Sequence, residues 1–299
     1  MPEGDTIFRT ATTLRRWMGS RVVTAARTQV LGLDVGVLVG RVLSEVKPVG
    51  KHLLMQFDDR AANQHDDALG VGDAFHGGVD GAVDGAVGDV ASGGPLLLRT
   101  HMRMSGSWHV YSQGDRWQRP ERQARVVIEA GDRLAVCFNA PVIELTRESV
   151  DAALGVSHLG PDILGDGFNP SGVARRAALD ERAIGEVLLD QRVVAGIGNI
   201  YRCESLHLER IHPWTAASVL DLGTLTTLVE RARKLMLQNL SPSVTSRDLD
   251  MGGDGTWVYR RSGLPCRTCL SLIRSRLQGD QARMAYWCPN CQPPHPPPQ

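Results

Sequence analysis

Cysteine sets the first constraint. Four of the six cysteines fall in the last 34 residues, as Cys266-x2-Cys269 and Cys288-x2-Cys291 with 18 residues between the pairs. Each close pair forms a turn that aims two thiolates inward, and two such turns make a tetrahedral cage that suits one structural zinc ion. Four protein ligands leave no open coordination position for a reacting water. The stretch between the pairs carries Arg274, Arg276 and Arg283 against Asp280 alone and alternates loosely, as a β-hairpin presenting arginines to phosphate would. The other two cysteines, Cys137 and Cys203, stand singly in apolar runs and read as buried small side chains.

The opening "MPEGDTIF" and the run "VVAGIGNIYR" (193–202) are the other places where residue types suggest chemistry. Pro2 and Glu3 precede apolar positions at Ile7, Phe8, Ala11, Leu14, Trp17 and Met18, a helical spacing over 5–19 with Asp5 or Thr6 as N-cap and Gly19 as stop. The chain start therefore lies just before a helix. The glycines at 196 and 198 allow close backbone approach before a helix N-terminus. That suits an anion site with Asn199 as an amide donor, and equally a plain turn with Asn199 as cap.

These groups need elements to hold them. From about 21 to 145 short β-prone runs recur ("KHLLMQF", "PLLLRTHM", "ARVVIEA", "RLAVCF"), with Gly131-Asp132 between two of them in hairpin fashion, as in an antiparallel sandwich. From 151 to 240 the pattern is helical: "ERAIGEVLLDQRVV" reads as one amphipathic stretch, and two further helices follow. Residues 58–95 carry eight Asp and one Arg in a Gly-Ala-Val-Asp repetition and read as a disordered acidic insertion in a hairpin loop. The formal net charge of zero hides this asymmetry: outside the insertion, 32 basic residues face 25 acidic ones. A basic body suits a phosphate-rich partner. Only Lys47, Lys51 and Lys234 are lysines. No run of 18 apolar residues marks a membrane span and no basic-then-apolar leader opens the chain, so a cytoplasmic, non-membrane protein is expected.

Together, "MPEG", "GKHLL" (50–54), "HMRMSGSW" (101–108), "LGPD" (159–162), "GIGNIYRCE" (196–204) and the cysteine finger stand in the order of the formamidopyrimidine-DNA glycosylase and endonuclease VIII family, which the whole chain outside the insertion and tail resembles. The resemblance implies an α+β multidomain clamp. Its parts are an N-terminal helix plus antiparallel β-sandwich (1–150), a helix–two-turn–helix domain (151–262), a four-cysteine zinc finger (263–292) and a disordered tail (293–299). It implies double-stranded damaged DNA as partner, a nucleoid-associated monomer, and base excision coupled to strand cleavage. Pro2, exposed by removal of Met1, would be the nucleophile, with Glu3 as acid/base and Lys51 beside the lesion phosphate. Asn199 and Arg283 would grip phosphate, Met104 would fill the gap left by the extruded base, and Arg103 would contact the orphaned base. "PEGD" at the start, Arg202 as a further DNA contact and the short link from Leu240 to Tyr259 look like the endonuclease VIII branch, which prefers oxidised pyrimidines. The other branch removes oxidised purines such as 8-oxoguanine.

Overall fold

The computed structural model describes residues 2–60, 94–148, 158–240 and 255–294. The insertion, the 150/151 boundary, the 241–254 link and the end of the tail fall outside them.

Helix α1 (Gly4–Met18) buries Ile7, Ala11, Leu14 and Met18, a spacing of three to four that puts one apolar stripe against the sandwich. It starts one residue before the expected cap. Glu3 occupies the N-cap position but makes no capping bond there, because its carboxylate is engaged elsewhere. Among the described residues, eight antiparallel strands follow in two four-stranded sheets. One has the order β1 (Ala25–Thr28), β6 (Ala124–Ala130), β7 (Arg133–Phe138), β5 (Ser107–Ser112). The other runs β2 (Val42–Val49), β3 (His52–Asp58), β4 (Leu96–His101), β8 (Val142–Thr146). Alternate residues Leu53, Met55, Phe57, Leu96 and Leu98 of the second sheet meet Val126, Ile128, Ala135 and Cys137 of the first, as two inner faces of a sandwich do. The hairpin at Gly131 forms as expected, with Gly131 at φ 62°. β3 and β4 pair up to Phe57–Leu96, so the acidic insertion joins two adjacent strands.

The helical part contains α2 (Pro170–Ala177), α3 (Ile184–Val187), α4 (Asn199–Leu208) and α5 (Leu222–Gln238) around its own core. The segment expected as one amphipathic helix is instead the four-residue α3 followed by turns. Asp180 and Asp190 fold it back by binding Arg182 and Arg192, and each also accepts the backbone N–H two residues on. Two short strands, β9 (Arg274–Gln278) and β10 (Arg283–Trp287), form the finger hairpin, turning at Gly279. Cys137 and Cys203 are buried, as their apolar contexts imply.

Candidate active site

Glycines bring the chain start, the β2–β3 turn and the α4 N-terminus together. Gly4 N–H donates to Gly196 O at 3.0 Å, and a Cβ on Gly4 would sit 3.1 Å from Gly196 Cα. Gly198 lies beneath Glu3: a Cβ there would come within 2.3 Å of the Glu3 carboxyl carbon. The fully buried Glu3 carboxylate accepts the N–H groups of Gly198 (3.1 Å) and Ile200 (2.9 Å). It therefore satisfies the free donors of α4 from nearly two hundred residues away, where the positive helix end favours its charge. The anion expected at this helix is supplied by the protein itself.

Gly50 makes the second close approach. Its φ of 57° is the left-handed region, and a Cβ would meet the Ala195 Cβ at 2.9 Å. Its N–H donates to Asp162 Oδ2 at 2.7 Å, and Asp162 Oδ1 accepts from Leu164 N–H at 2.9 Å. Burial raises the pKa of this Asp162, against the two backbone N–H groups that favour its charge. Asp162, a mere landmark of "LGPD" in the sequence, thus fixes the turn that carries Lys51. Burial lowers the Lys51 pKa from 10.5 to about 8; Glu3 opposes the shift and Arg283 adds to it.

Pro2, Lys51, His101, Arg103, Met104 and Arg283 line one cleft of ≈ 830 Å³. Arg103 sits at φ 42°, an uncommon conformation for a side chain of its size, at the tip of the loop that leaves Met104 63% exposed. Arg283 Nη1 approaches Met104 Sδ at 3.8 Å across the cleft. Five expected site residues, Pro2, Lys51, Arg103, Met104 and Arg283, therefore share one cavity, with Glu3 directly below it.

Two others are placed differently. Arg202 is fully buried and does not reach the cleft, which corrects its reading as a DNA contact. Its guanidinium donates to Asn199 Oδ1, Gln278 Oε1 (3.1 Å), Met284 O (2.9 Å) and Gly185 O (3.4 Å). A buried cation needs such acceptors; both terminal nitrogens have them, and only Nε lacks one. Asn199 is 7% exposed, and its Nδ2 donates to Met284 O at 2.8 Å. Both residues tie α4 to the strand that carries Arg283. The sequence signal for this role is the i, i+3 spacing of Asn199 and Arg202 on one helix face; the partner, Gln278, has no local signal.

The four cysteine sulfurs lie within 4.8 Å of one another. Cys266 and Cys291 are 3.8 Å apart and Cys269 and Cys288 3.4 Å. A tetrahedron of Zn–S bonds has edges of about 3.8 Å. The set fits one four-coordinate thiophilic metal ion, held away from the cleft, and has no place for a reacting ligand.

A sandwich and a helical module closing on a cleft, with a cysteine-clamped hairpin at its rim, is the architecture of the helix–two-turn–helix DNA glycosylases. The fold matches that of MutM (Fpg) from Thermus thermophilus (TM-score 0.71, 22% identity, 99% of this chain and 100% of that one). It also matches Fpg from Lactococcus lactis crystallised with DNA containing an oxidised pyrimidine (TM-score 0.73, 18% identity, 98% and 100%). Residues 159–248 match the model of the formamidopyrimidine-DNA glycosylase H2TH domain. Over 296 residues the chain is 34% identical to a probable endonuclease 8 2 of Streptomyces coelicolor, covering 98% of this chain and 94% of that protein. It is 31% identical to the DNA-(apurinic or apyrimidinic site) lyase Nei2 of Mycolicibacterium smegmatis, covering 98% and 99%. The chain belongs to the formamidopyrimidine-DNA glycosylase and endonuclease VIII family.

Proposed function

We propose that this protein is a DNA glycosylase and abasic-site lyase of base excision repair that acts on oxidised bases, pyrimidines foremost, in double-stranded DNA. The observation that carries the reading is the shared cleft of Pro2 and Lys51, with the Glu3 carboxylate pinned beneath them.

Removal of Met1 leaves Pro2 with a secondary amine whose reference pKa is about 7.7–8.0. The positive end of α1 and the neighbouring cations favour its neutral form. The Pro2 nitrogen attacks C1′ with its lone pair, and the damaged base leaves with the electrons of the glycosidic bond. The amine gives up its proton and the C1′–O4′ bond breaks as the ring oxygen takes one up, which yields an iminium; this acidifies C2′, loss of that proton expels the 3′ phosphate, and a second elimination expels the 5′ phosphate. Glu3, held at a fixed depth by the α4 amides, is the acid/base for sugar-ring opening. Lys51, near the midpoint of its titration at about pH 8, contacts phosphate beside the lesion and exchanges protons there. Arg283 grips the backbone from the finger and Asn199 from the α4 N-terminus, while Arg202 holds the Arg283 strand. Met104 wedges into the base stack and Arg103 meets the orphaned base. Zinc is the ion of the four-cysteine cage; bound, it holds the hairpin's two turns together. One copy suffices for one lesion, so a cytoplasmic, nucleoid-associated monomer is expected. No described helix is long and apolar enough to cross a membrane.

Borohydride trapping on abasic-site duplex tests the chemistry: the expected result is a covalent adduct at Pro2, and a protein that binds without trapping defeats the reading. Parallel cleavage of thymine-glycol and 8-oxoguanine duplexes tests the substrate. Faster cleavage of the latter moves the protein to the purine branch.

A further inference from the structure

The outer face of the β2-β3-β4-β8 sheet carries a polar cluster that the reaction above does not use. By register His52 lies opposite His101, and Arg99 lies between Leu54 and Glu144. Arg99 is 7% exposed. Its Nε and Nη2 donate to Glu144 Oε2 at 2.9 and 2.5 Å, which leaves Nη1 to donate to His52 Nδ1 at 3.1 Å. The two imidazoles meet edge to face at 4.6 Å. His101 Nδ1 accepts the Arg103 backbone N–H at 3.2 Å, and His101 lines the cleft with Lys51.

These bonds settle where the ring protons sit. A guanidinium only donates and keeps its protons at every working pH, as does a backbone amide. Each Nδ1 facing such a donor must offer its lone pair, so each neutral ring carries its proton on Nε2. The charges facing the pair are Arg99, Lys51 and Arg103, all cationic, and Glu144 reaches it only through Arg99. Burial with these cations takes His52 to about 3 and His101 to about 4. On its other side Lys51 faces Glu3 and Arg283.

We propose that Arg99 is a positioning residue for the cleft: braced by Glu144, it locks His52 as a neutral Nε2–H imidazole against His101, whose tautomer the Arg103 amide sets, so that Lys51 changes charge without a second switch beside it. This role rests on the proposed function. Without Arg99, His52 loses the cation that donates to its Nδ1, and that nitrogen is open to a proton. Proton uptake by His52 then becomes favourable as pH falls, and a new cation appears next to Lys51.

The test combines imidazole nitrogen NMR with borohydride trapping on abasic-site duplex from pH 5 to 8.5, for the wild type, Arg99→Met and Arg99→Lys. In the wild type both rings are expected as Nε2–H tautomers that do not titrate above pH 5. In Arg99→Met, His52 titrates between pH 5 and 7. The ratio of variant to wild-type trapping is then flat above pH 7.5 and departs at least threefold below it. Arg99→Lys, which keeps a cation and one donor, restores the flat ratio. An Nδ1–H or cationic His52 in the wild type at pH 6 overturns the proposal without any variant. A trapping ratio constant over the whole range overturns it too, since a merely structural loss has no pH signature. A wild type with intact tautomers that traps nothing overturns the functional reading, and this role falls with it.

Discussion

The two walls of the cleft treat their polar groups in opposite ways. On the helix and finger wall the polar groups are heavily engaged: the two terminal nitrogens of Arg202 reach four acceptors, leaving only its Nε without a partner, Gln278 bridges Arg202 and Pro213 O, and both ends of the Asn199 amide are engaged. On the sandwich wall, Lys51 is held in a desolvated position by a left-handed Gly50, Arg103 sits at positive φ, and Met104 points into solvent. Engaged groups fix geometry; desolvated and strained groups store reactivity. The lesson is that a motif's arginine can act from inside the fold. There it sets the position of the strand that carries Arg283.

The largest effect separating the walls is expected at the chain start. A protein that retains Met1, or carries an acetyl group on Pro2, loses the attacking lone pair, and trapping should fall by about 10³-fold or more. DNA affinity should stay within a few fold, because Pro2 is one small contact in a wide cleft. Excision at full rate by a protein shown by mass spectrometry to be blocked would remove the chemistry assigned to the sandwich wall.

On the opposite wall, Arg202→Met is expected to cost about 3 kcal/mol of stability, because several buried acceptors lose their donor together. Thermal unfolding reads this loss. The salt dependence of DNA binding distinguishes it from a lost phosphate contact: the slope should be unchanged for Arg202→Met and shallower by about one for Arg283→Ala. Equal slopes for the two would return Arg202 to the DNA surface.

How far these walls could be read in the sequence follows the range of the interactions. The β6–β7 hairpin was legible because alternation and a Gly-Asp turn are local, and so was the cysteine cage. The apolar stripe of α1 was legible too, but its cap was not. Nothing near Glu3 says that its carboxylate closes a helix at residue 199. The 181–194 run has helical periodicity, yet Asp180 and Asp190 outcompete the helix by binding backbone N–H groups and arginines. The burial of Arg202 has no local signal for the same reason: it depends on the finger hairpin, more than seventy residues further on. Asp162 and Arg99 carry no local signal because each acts through a partner on another element.

Where the walls meet, Gly198→Ala drives a methyl group into the Glu3 carboxylate. The carboxylate must leave the α4 amides or the helix must shift, at about 1–3 kcal/mol. Trapping should drop by about tenfold to a hundredfold, with the finger intact. A variant of wild-type activity would mean that Glu3 needs no fixed depth.

The finest expected effect is in the titration of Lys51. Its pKa is lowered from 10.5 to about 8, so it is a cation below that pH and a free amine above it. Acylation of Lys51, followed by mass spectrometry, should rise with pH through a midpoint near 8. The Glu3 charge raises this pKa, so Glu3→Gln should move the midpoint further down, whereas Arg283→Ala, which removes a cation, should move it up. The two shifts have opposite signs from opposite walls. A midpoint unmoved by either variant would mean that burial alone sets Lys51, and that the walls do not communicate through charge.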